Sequence, residues 1–122
     1  MAIYGTWTVY DDIFNKERSR LKMQTGWTLA KQDPETPRAA LLREQFETTT
    51  RFDEEDCPNS LLQPALLEYV KSGAPRVLFV GYGETDNWAH QGRYDLVLDS
   101  AHRFDQFVAQ LWSCLLYTSR CV

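Results

Sequence analysis

The sequence predicts an α/β fold built on part of a doubly wound parallel sheet. Residues 77–80 form a short, unbroken apolar run that Pro75 precedes and Gly81 follows, a pattern typical of a buried parallel strand. Helical patterns lie on both sides of this run, in residues 62–72 and 94–112. A helix, a turn, a buried strand and another helix make up half of a doubly wound pattern, which indicates a sheet with helices on its faces.

The N-terminal part of the chain predicts one strand and one short helix. Residues 2–6 fit a short strand, and residues 7–15 fit an amphipathic helix and turn whose aromatic side chains pack in the core. Residues 21–32 show no clear hydrophobic period. We therefore expect a loop there, which Trp27 packs against the core beside Gly26.

The middle of the chain predicts two helices joined by an acidic connection. Thr36 is a typical N-cap and Pro37 suits the first helical position, so a helix starts there and should end near Thr48. The second helix covers residues 62–72. Between them, residues 49–60 contain a run of four acidic residues without the alternating spacing and glycine of a calcium loop, so we interpret it as a solvated loop. The run comprises Asp53, Glu54, Glu55 and Asp56.

The helix predicted over residues 94–112 has an apolar stripe along one side. Asp105 lies inside this stripe, where an unpaired carboxylate is costly, so we expect it to accept hydrogen bonds. His102 lies at the edge of the polar side and is interpreted as a surface residue. The stripe comprises Tyr94, Val97, Leu98, Ala101, Phe104, Val108, Leu111 and Trp112.

Three polar residues follow the strand at residues 77–80, where the ligands of open α/β sheets collect. Asp86 and His90 have the spacing D-x-x-x-H, which places both side chains on one side of a helix. A carboxylate with an imidazole suits Zn²⁺ or Mn²⁺. We expect the pair to face one cavity, with Glu84 close enough to support it or to contact a substrate. The alternative is an acidic residue that favours a helix N-terminus, followed by a solvated His.

The segment R-V-L-F-V-G-Y-G-E-T-D-N-W-A-H, residues 76–90, with the helix ending in A-H-R-F-D-Q-F-V-A-Q-L-W, resembles the central metal-binding segment of the alkaline phosphatase superfamily. It is most similar to bacterial alkaline-phosphatase-like proteins, which carry G-E-T-D-x-x-A-H-x-G-x-Y-D there. Those proteins also carry S-W-D-V-F and then I-x-N-x-x-R-S, which resemble residues 6–19. Thr6 and Thr8 depart from that pattern, so position 8 carries no acidic residue here.

The resemblance implies an incomplete sheet of the alkaline phosphatase type, of which residues 1–112 are a central fragment. It makes Asp86 and His90 ligands of one metal in a two-metal centre. The implied function is hydrolysis of phosphate or sulfate esters by a phosphatase, phosphodiesterase or sulfatase, with the nucleophile outside the fragment and the fragment alone inactive. Two alternatives stay open: the phosphomutase branch of the same superfamily, and a non-catalytic α/β module in which Asp86 and His90 are structural.

The C-terminal residues 113–122 are expected to be artefactual. Residues 114–122, C-L-L-Y-T-S-R-C-V, can be back-translated into the transposase mosaic-end sequence used in sequencing libraries, followed by its reverse complement. We therefore exclude this tail from fold reasoning and expect it to extend the preceding helix without a packed face, or to be disordered. Cys114 and Cys121 lie in the tail, which leaves Cys57 as an isolated, inert thiol and excludes a disulfide framework.

Composition limits the possible partners. The net charge is −4 at pH 7, and no basic patch indicates a nucleic acid partner. The longest apolar run is far too short to span a membrane, and the residues after Met1 lack the features of a signal peptide. The resemblance places further segments before Met1 and is compatible with a periplasmic or secreted parent protein. The oligomeric state is not indicated by any pattern in the sequence.

Overall fold

The structure, a computed structural model, describes residues 1–29, 35–73 and 75–116. These residues form a three-stranded parallel sheet with six helices, which confirms the predicted α/β class. None of the helices in these ranges is long and apolar enough to cross a membrane. The elements are, in order, β1 (Ala2–Gly5), α1 (Tyr10–Ile13), α2 (Lys16–Ser19), β2 (Lys22–Thr25), α3 (Pro37–Thr48), α4 (Asn59–Ser72), β3 (Leu78–Gly81), α5 (Glu84–His90) and α6 (Tyr94–Leu116).

The strand order is β2-β1-β3, with all neighbours parallel. Every residue of the central strand β1 is buried, because it has a strand on each side and packed side chains on both faces. Ala2 pairs with Lys22 on one side and with Leu78 on the other, and the register continues to Gly5. The sheet therefore depends on β1, whose apolar sequence A-I-Y-G suits a doubly covered strand.

The two faces of the sheet pack against different helices. On one face, Tyr4 stacks on Tyr69 of α4 with ring centroids 5.5 Å apart. On the other face, the Tyr10 ring of α1 lies over Gly5 and Gly81 and meets Phe79 edge-on at 5.3 Å. Glycine is needed at both strand ends because a Cβ atom there would collide with the Tyr10 ring.

The principal hydrophobic cluster lies on the α4 face of the sheet. It also receives side chains from α3 and α6, which pack against α4. Burial of apolar area at this junction is the main contribution that holds the helices on the sheet. The buried members are Ala2, Tyr4, Trp27, Phe46, Cys57, Leu62, Ala65, Leu66, Val70 and Phe107.

The predicted start and end of α3 are confirmed. The Thr36 hydroxyl accepts a 3.1 Å hydrogen bond from the Ala39 N–H, Pro37 is the first helical residue, and the helix ends at Thr48. The α4 helix begins at Asn59, three residues earlier than predicted, directly after Pro58 at the N-cap position.

The prediction of a loop over residues 21–32 is wrong for Lys22–Thr25, which form β2. Its sequence K-M-Q-T carries little apolar signal because β2 is an edge strand, whose first two residues are not buried. Trp27 is buried as expected, and its indole N–H donates a 2.7 Å hydrogen bond to the Asp53 carbonyl. Residues 30–32 of the predicted loop lie outside the described ranges.

The predicted strand at residues 77–80 is displaced by one position and is less buried than expected. β3 covers Leu78–Gly81, and only Gly81 is fully buried. Val77 is 54% exposed because it precedes the strand, and β3 lies at the edge of the described sheet.

The α6 helix buries a narrower side than its apolar stripe predicts. Phe107, which is not part of the predicted stripe, is 1% exposed, whereas Trp112 is 64% exposed. The reason is that α6 packs mainly against α4 and α5, which leave the rest of its surface open to solvent. Asp105 is exposed, so its carboxylate is solvated and the cost that motivated its expected hydrogen bonds does not arise. The stripe residues left exposed are Tyr94, Leu98, Ala101, Phe104, Val108 and Trp112.

The first residues of the expected C-terminal tail continue α6 to Leu116. The Ser113 hydroxyl bonds to the Ala109 carbonyl at 3.0 Å, and Cys114 packs partly buried against the core cluster. The expectation of a tail without any packed contact is therefore wrong at Cys114. Residues 117–122 lie outside the described ranges.

Candidate functional site

The candidate site lies beyond the carboxyl ends of β1 and β3. The chain leaves β1 towards β2 and later adds β3 on the opposite side of β1, so the strand order reverses at this point. Open parallel sheets bind their ligands beyond such a reversal. Thr6 and Gly83 follow the two strands, and the Gly83 N–H donates a 2.9 Å hydrogen bond to the Thr6 hydroxyl.

The Asp86 and His90 side chains lie together on α5. Asp86 is in the first turn and His90 in the last, and the His90 Nε2 atom is 3.4 Å from the Asp86 Oδ2 atom. The prediction that the D-x-x-x-H spacing places both on one side of a helix is therefore confirmed. Both side chains are well exposed, at 52% for Asp86 and 79% for His90.

The Asp86–His90 pair lies outside the four main clefts of the described residues, and neither side chain lines any of these four. The pair instead faces solvent from the outer side of a seven-residue helix. No group of three or more His, Cys, Asp and Glu side chains among the described residues is arranged to hold a metal ion.

Glu84 lies on another side of α5, where its side chain contacts α4 and α6. Its Oε1 atom accepts a 2.8 Å hydrogen bond from the Asn59 N–H at the start of α4. Its Oε2 atom is 3.5 Å from the Ser100 hydroxyl of α6. Two positions along a helix correspond to a turn of about 200°, so Glu84 points away from Asp86. The structure brings Asp86 and His90 together and directs Glu84 to the junction of α4, α5 and α6.

Asp56 is buried near the carboxyl ends of β1 and β3, and the sequence did not predict its burial. The interpretation of residues 53–56 as a solvated loop holds for the first three, which are exposed, but is wrong for Asp56, which is 6% exposed. An isolated bridge to Trp7 draws the backbone of Asp56 to the end of β1. The neighbouring Cys57 was the available signal, because free cysteines are among the most buried residues.

The Asp56 carboxylate is incompletely hydrogen-bonded. Its Oδ2 atom accepts a 2.6 Å hydrogen bond from the Asn87 amide of α5. Its Oδ1 atom is buried, and no described donor reaches it with hydrogen-bond geometry. A buried acceptor of this kind costs free energy unless a ligand or water satisfies it.

The pKa of Asp56 is raised above its ordinary value, mainly because burial disfavours the charged form. The nearby carboxylates of Asp53 and Glu84 raise the pKa further, whereas the Thr6 hydroxyl and the Asn87 amide lower it. No cationic side chain is among the groups that influence it.

A cleft of about 390 Å³ opens above Asp56. It combines carboxylates with aromatic rings, among which Trp27 is buried and Phe52 lies exposed at the rim. One side of α5 contributes Asn87 and Trp88, and Gln91 follows directly after the helix. The cleft and the Asp86–His90 pair therefore occupy different sides of α5. The lining residues are Trp27, Phe52, Asp53, Asp56, Cys57, Pro58, Glu84, Asn87, Trp88 and Gln91.

Cys57 takes no part as a nucleophile at neutral pH. Its side chain is 1% exposed. Burial, with the nearby charge of Asp56, raises the pKa of the thiol to about 12. Because the thiolate is the reactive form, Cys57 acts as a small apolar core residue.

Comparison of the chain with protein-family models, with curated proteins and with solved structures finds no match.

Proposed function

We propose that this chain is the central part of a metal-dependent hydrolase of phosphate or sulfate esters, with a fold of the alkaline phosphatase type. Asp86 and His90 hold one divalent ion, Zn²⁺ or Mn²⁺, of a two-metal centre. The observation that carries the proposal is the 3.4 Å separation of the His90 Nε2 and Asp86 Oδ2 atoms on a helix that directly follows β3.

This separation suits a shared metal ion. Zinc lies about 2.0–2.1 Å from imidazole nitrogen and about 2.0–2.2 Å from carboxylate oxygen, so two ligand atoms at a tetrahedral angle are about 3.3–3.5 Å apart. The pair needs no rearrangement to reach that spacing. Its exposure leaves the remaining coordination positions open to ligands from other segments.

The roles of the side chains follow from their contacts. Asp86 supplies an anionic oxygen and His90 a neutral imidazole nitrogen, a donor set suited to Zn²⁺ or Mn²⁺. A bound metal would polarise the ester oxygen and stabilise the leaving group. Glu84 acts at a distance, because its hydrogen bond to Asn59 fixes α5 relative to α4 and so holds the Asp86–His90 pair in place. The nucleophile and the other metal ligands come from segments beyond this chain.

Two further functions compete with hydrolysis. The phosphomutase branch of the superfamily would use the same two ligands, and it differs in a cap domain outside this sequence. A non-catalytic α/β module is favoured by a specific observation: the spacing of Asp86 and His90 is also that of an exposed i,i+4 ion pair. The hydrolase and the non-catalytic module are distinguished by two measurements: whether Asp86 and His90 bind metal, and whether an ester is hydrolysed.

The test uses the full reading frame of the gene that encodes this chain. The purified product is given Zn²⁺ or Mn²⁺ and assayed with an aryl phosphate, an aryl phosphodiester and an aryl sulfate. We expect turnover of at least one ester, lost in Asp86→Ala and in His90→Ala and retained in His102→Ala, whose side chain lies on α6. The 122-residue chain alone should give no turnover above the metal background.

Absence of turnover with all three esters would contradict the proposal, as would full activity in the Asp86→Ala variant. Conversion of a phosphorylated sugar to its isomer without release of phosphate would instead identify the phosphomutase branch.

A further inference from the structure

We propose that two copies of this chain associate through the outer side of α6, with the two α6 helices antiparallel. The inner side of α6, with buried Ser100 and Phe107, packs mainly against α4 and α5. Two positions along a helix correspond to a turn of about 200°, so Asp105 points almost opposite to Phe107. The exposed residues on that opposite side, here called the outer stripe, are Tyr94, Leu98, Ala101, Asp105, Val108 and Trp112.

The spacing of the outer stripe indicates that its partner is a helix. From Tyr94 to Trp112, its members follow one another at alternating intervals of four and three residues. This repeat of 3.5 residues is the heptad pattern of helices that pack side by side. A helix with apolar residues on two opposite sides is typical of a helix packed between two partners. The α4 and α5 helices supply the partner on the inner side only.

The distribution of charge along α6 favours a second, antiparallel copy as that partner. The charged residues of the helix lie in its first half and are Asp95, Asp99, Arg103 and Asp105. Residues 106–116 contain no Asp, Glu, Lys or Arg. In an antiparallel pair, the charged half of each helix lies against the uncharged half of the other. A parallel pair would place the two Asp105 carboxylates opposite each other, where like charges repel.

Asp105 also determines the register of the antiparallel pair. A pair centred on Arg103 sets Asp105 opposite Ala101 of the second copy, which is small, and beside its His102, whose imidazole can donate a hydrogen bond. The adjacent register would bury the carboxylate against Val108 instead. A single polar residue within such a seam specifies register at a cost in stability. The resulting pairs are Tyr94 with Trp112, Leu98 with Val108, and Ala101 with Asp105.

The size of the contact predicts a weak dimer. The helix rises about 27 Å from Tyr94 to Trp112, so a strip about 12 Å wide covers about 320 Å² on each copy. A standard interface covers about 800 Å² per partner. We therefore expect a dissociation constant of about 10–100 µM, so that the chain is monomeric at low micromolar concentration. The inference does not depend on the proposed metal pair, which lies on α5.

The first test is sedimentation equilibrium of the complete chain between about 1 and about 500 µM, where we expect a reversible monomer–dimer equilibrium. Leu98→Glu should weaken the dimer at least about tenfold, because it places a carboxylate in the apolar seam of each helix. Leu41→Glu is the matched control, since Leu41 is an exposed leucine of α3, and it should leave the equilibrium unchanged. Circular dichroism checks that both variants are folded.

The second test uses disulfide cross-linking to determine the orientation, in chains that carry Cys114→Ser and Cys121→Ser. Under mild oxidation, a mixture of Leu98→Cys and Val108→Cys chains should form a linked dimer that contains one chain of each kind. Leu98→Cys alone should not cross-link to itself, because the two copies of position 98 are about 15 Å apart along an antiparallel pair. This separation is beyond the reach of a disulfide.

A chain that stays monomeric at the highest concentration would overturn the proposal and would assign the outer stripe to segments of a longer protein. An unchanged equilibrium in folded Leu98→Glu would contradict the assigned surface. Efficient cross-linking of Leu98→Cys to itself would contradict the antiparallel orientation. Because Leu98→Glu leaves Asp86 and His90 intact, the outcome is separate from that of the metal and ester assays.

Discussion

The Asp56 carboxylate lies against the backbone of Gly83, and this contact limits the residue that position 83 can hold. A Cβ atom added at Gly83 would lie 2.7 Å from the Asp56 Oδ2 atom. We expect Gly83→Ala to destabilise the fold by about 1–3 kcal/mol, since a buried carboxylate must move. Denaturant unfolding measures the change. Gly73→Ala is the control, because nothing lies within 4 Å of a Cβ atom there, and a loss as large as that of Gly83→Ala would refute the steric argument.

The raised pKa of Asp56 predicts how stability changes with pH. The folded state holds the proton more tightly than the unfolded state, so the contribution of Asp56 is greatest below the ordinary Asp pKa. It is lost as the pH rises through the raised folded pKa. We expect the unfolding free energy of the wild type, relative to Asp56→Asn, to fall over this window. Urea unfolding from about pH 3 to pH 8 tests it, and a relative free energy that rises with pH would contradict the assigned cause.

At the scale of single residues, sequence spacing predicts local geometry but not burial. The separation of four positions places Asp86 and His90 on one side of a helix, because helical geometry is local. Asp56 is buried through a bridge to Trp7, forty-nine positions earlier in the chain. Apart from the adjacent Cys57, no local pattern indicates this contact, so the acidic run was interpreted as a solvated loop along its whole length.

At the scale of elements, α6 shows how its partners decide which apolar side is buried. Phe107→Ala should cost about 3–5 kcal/mol, because the ring is 1% exposed and packs against Tyr82 with centroids 5.4 Å apart. Trp112→Ala removes a larger side chain that is 64% exposed, and should cost less than about 1 kcal/mol. Thermal and denaturant unfolding of the two variants provide the comparison. Equal losses would mean that the exposed stripe is packed in solution.

The sequence predicts best those elements that begin with a capping residue or a proline at the first helical position. Thr36 and Pro37 define the start of α3 because the cap and the proline act within one turn. β2 has no such signal. Its four residues form a strand only because they pair in parallel with β1. The sequence K-M-Q-T lacks the alternation of apolar and polar residues that would distinguish a strand from a loop.

At the scale of the whole molecule, the strand order reverses at β1, and several polar groups lie together beyond the carboxyl ends of β1 and β3. Thr6, Asp56 and Gly83 meet there, and α5 begins beside them. The sequence predicted a site beyond the carboxyl end of the strand at residues 77–80, from the polar residues that follow this strand. It could not predict the number of strands or the exposed side of α6, since both depend on contacts between distant segments.

The central claim is that Asp86 and His90 bind one divalent metal ion together. The most direct measurement follows the imidazole signals of the two histidines, His90 and His102, by NMR during titration of the chain with Zn²⁺. Because two ligands chelate more tightly than one, the His90 signals should move saturably at lower Zn²⁺ concentration than those of His102. Asp86→Asn should raise the concentration needed at His90 by at least about tenfold. Simultaneous shifts of both rings, or an unchanged His90 titration in Asp86→Asn, would contradict the claim.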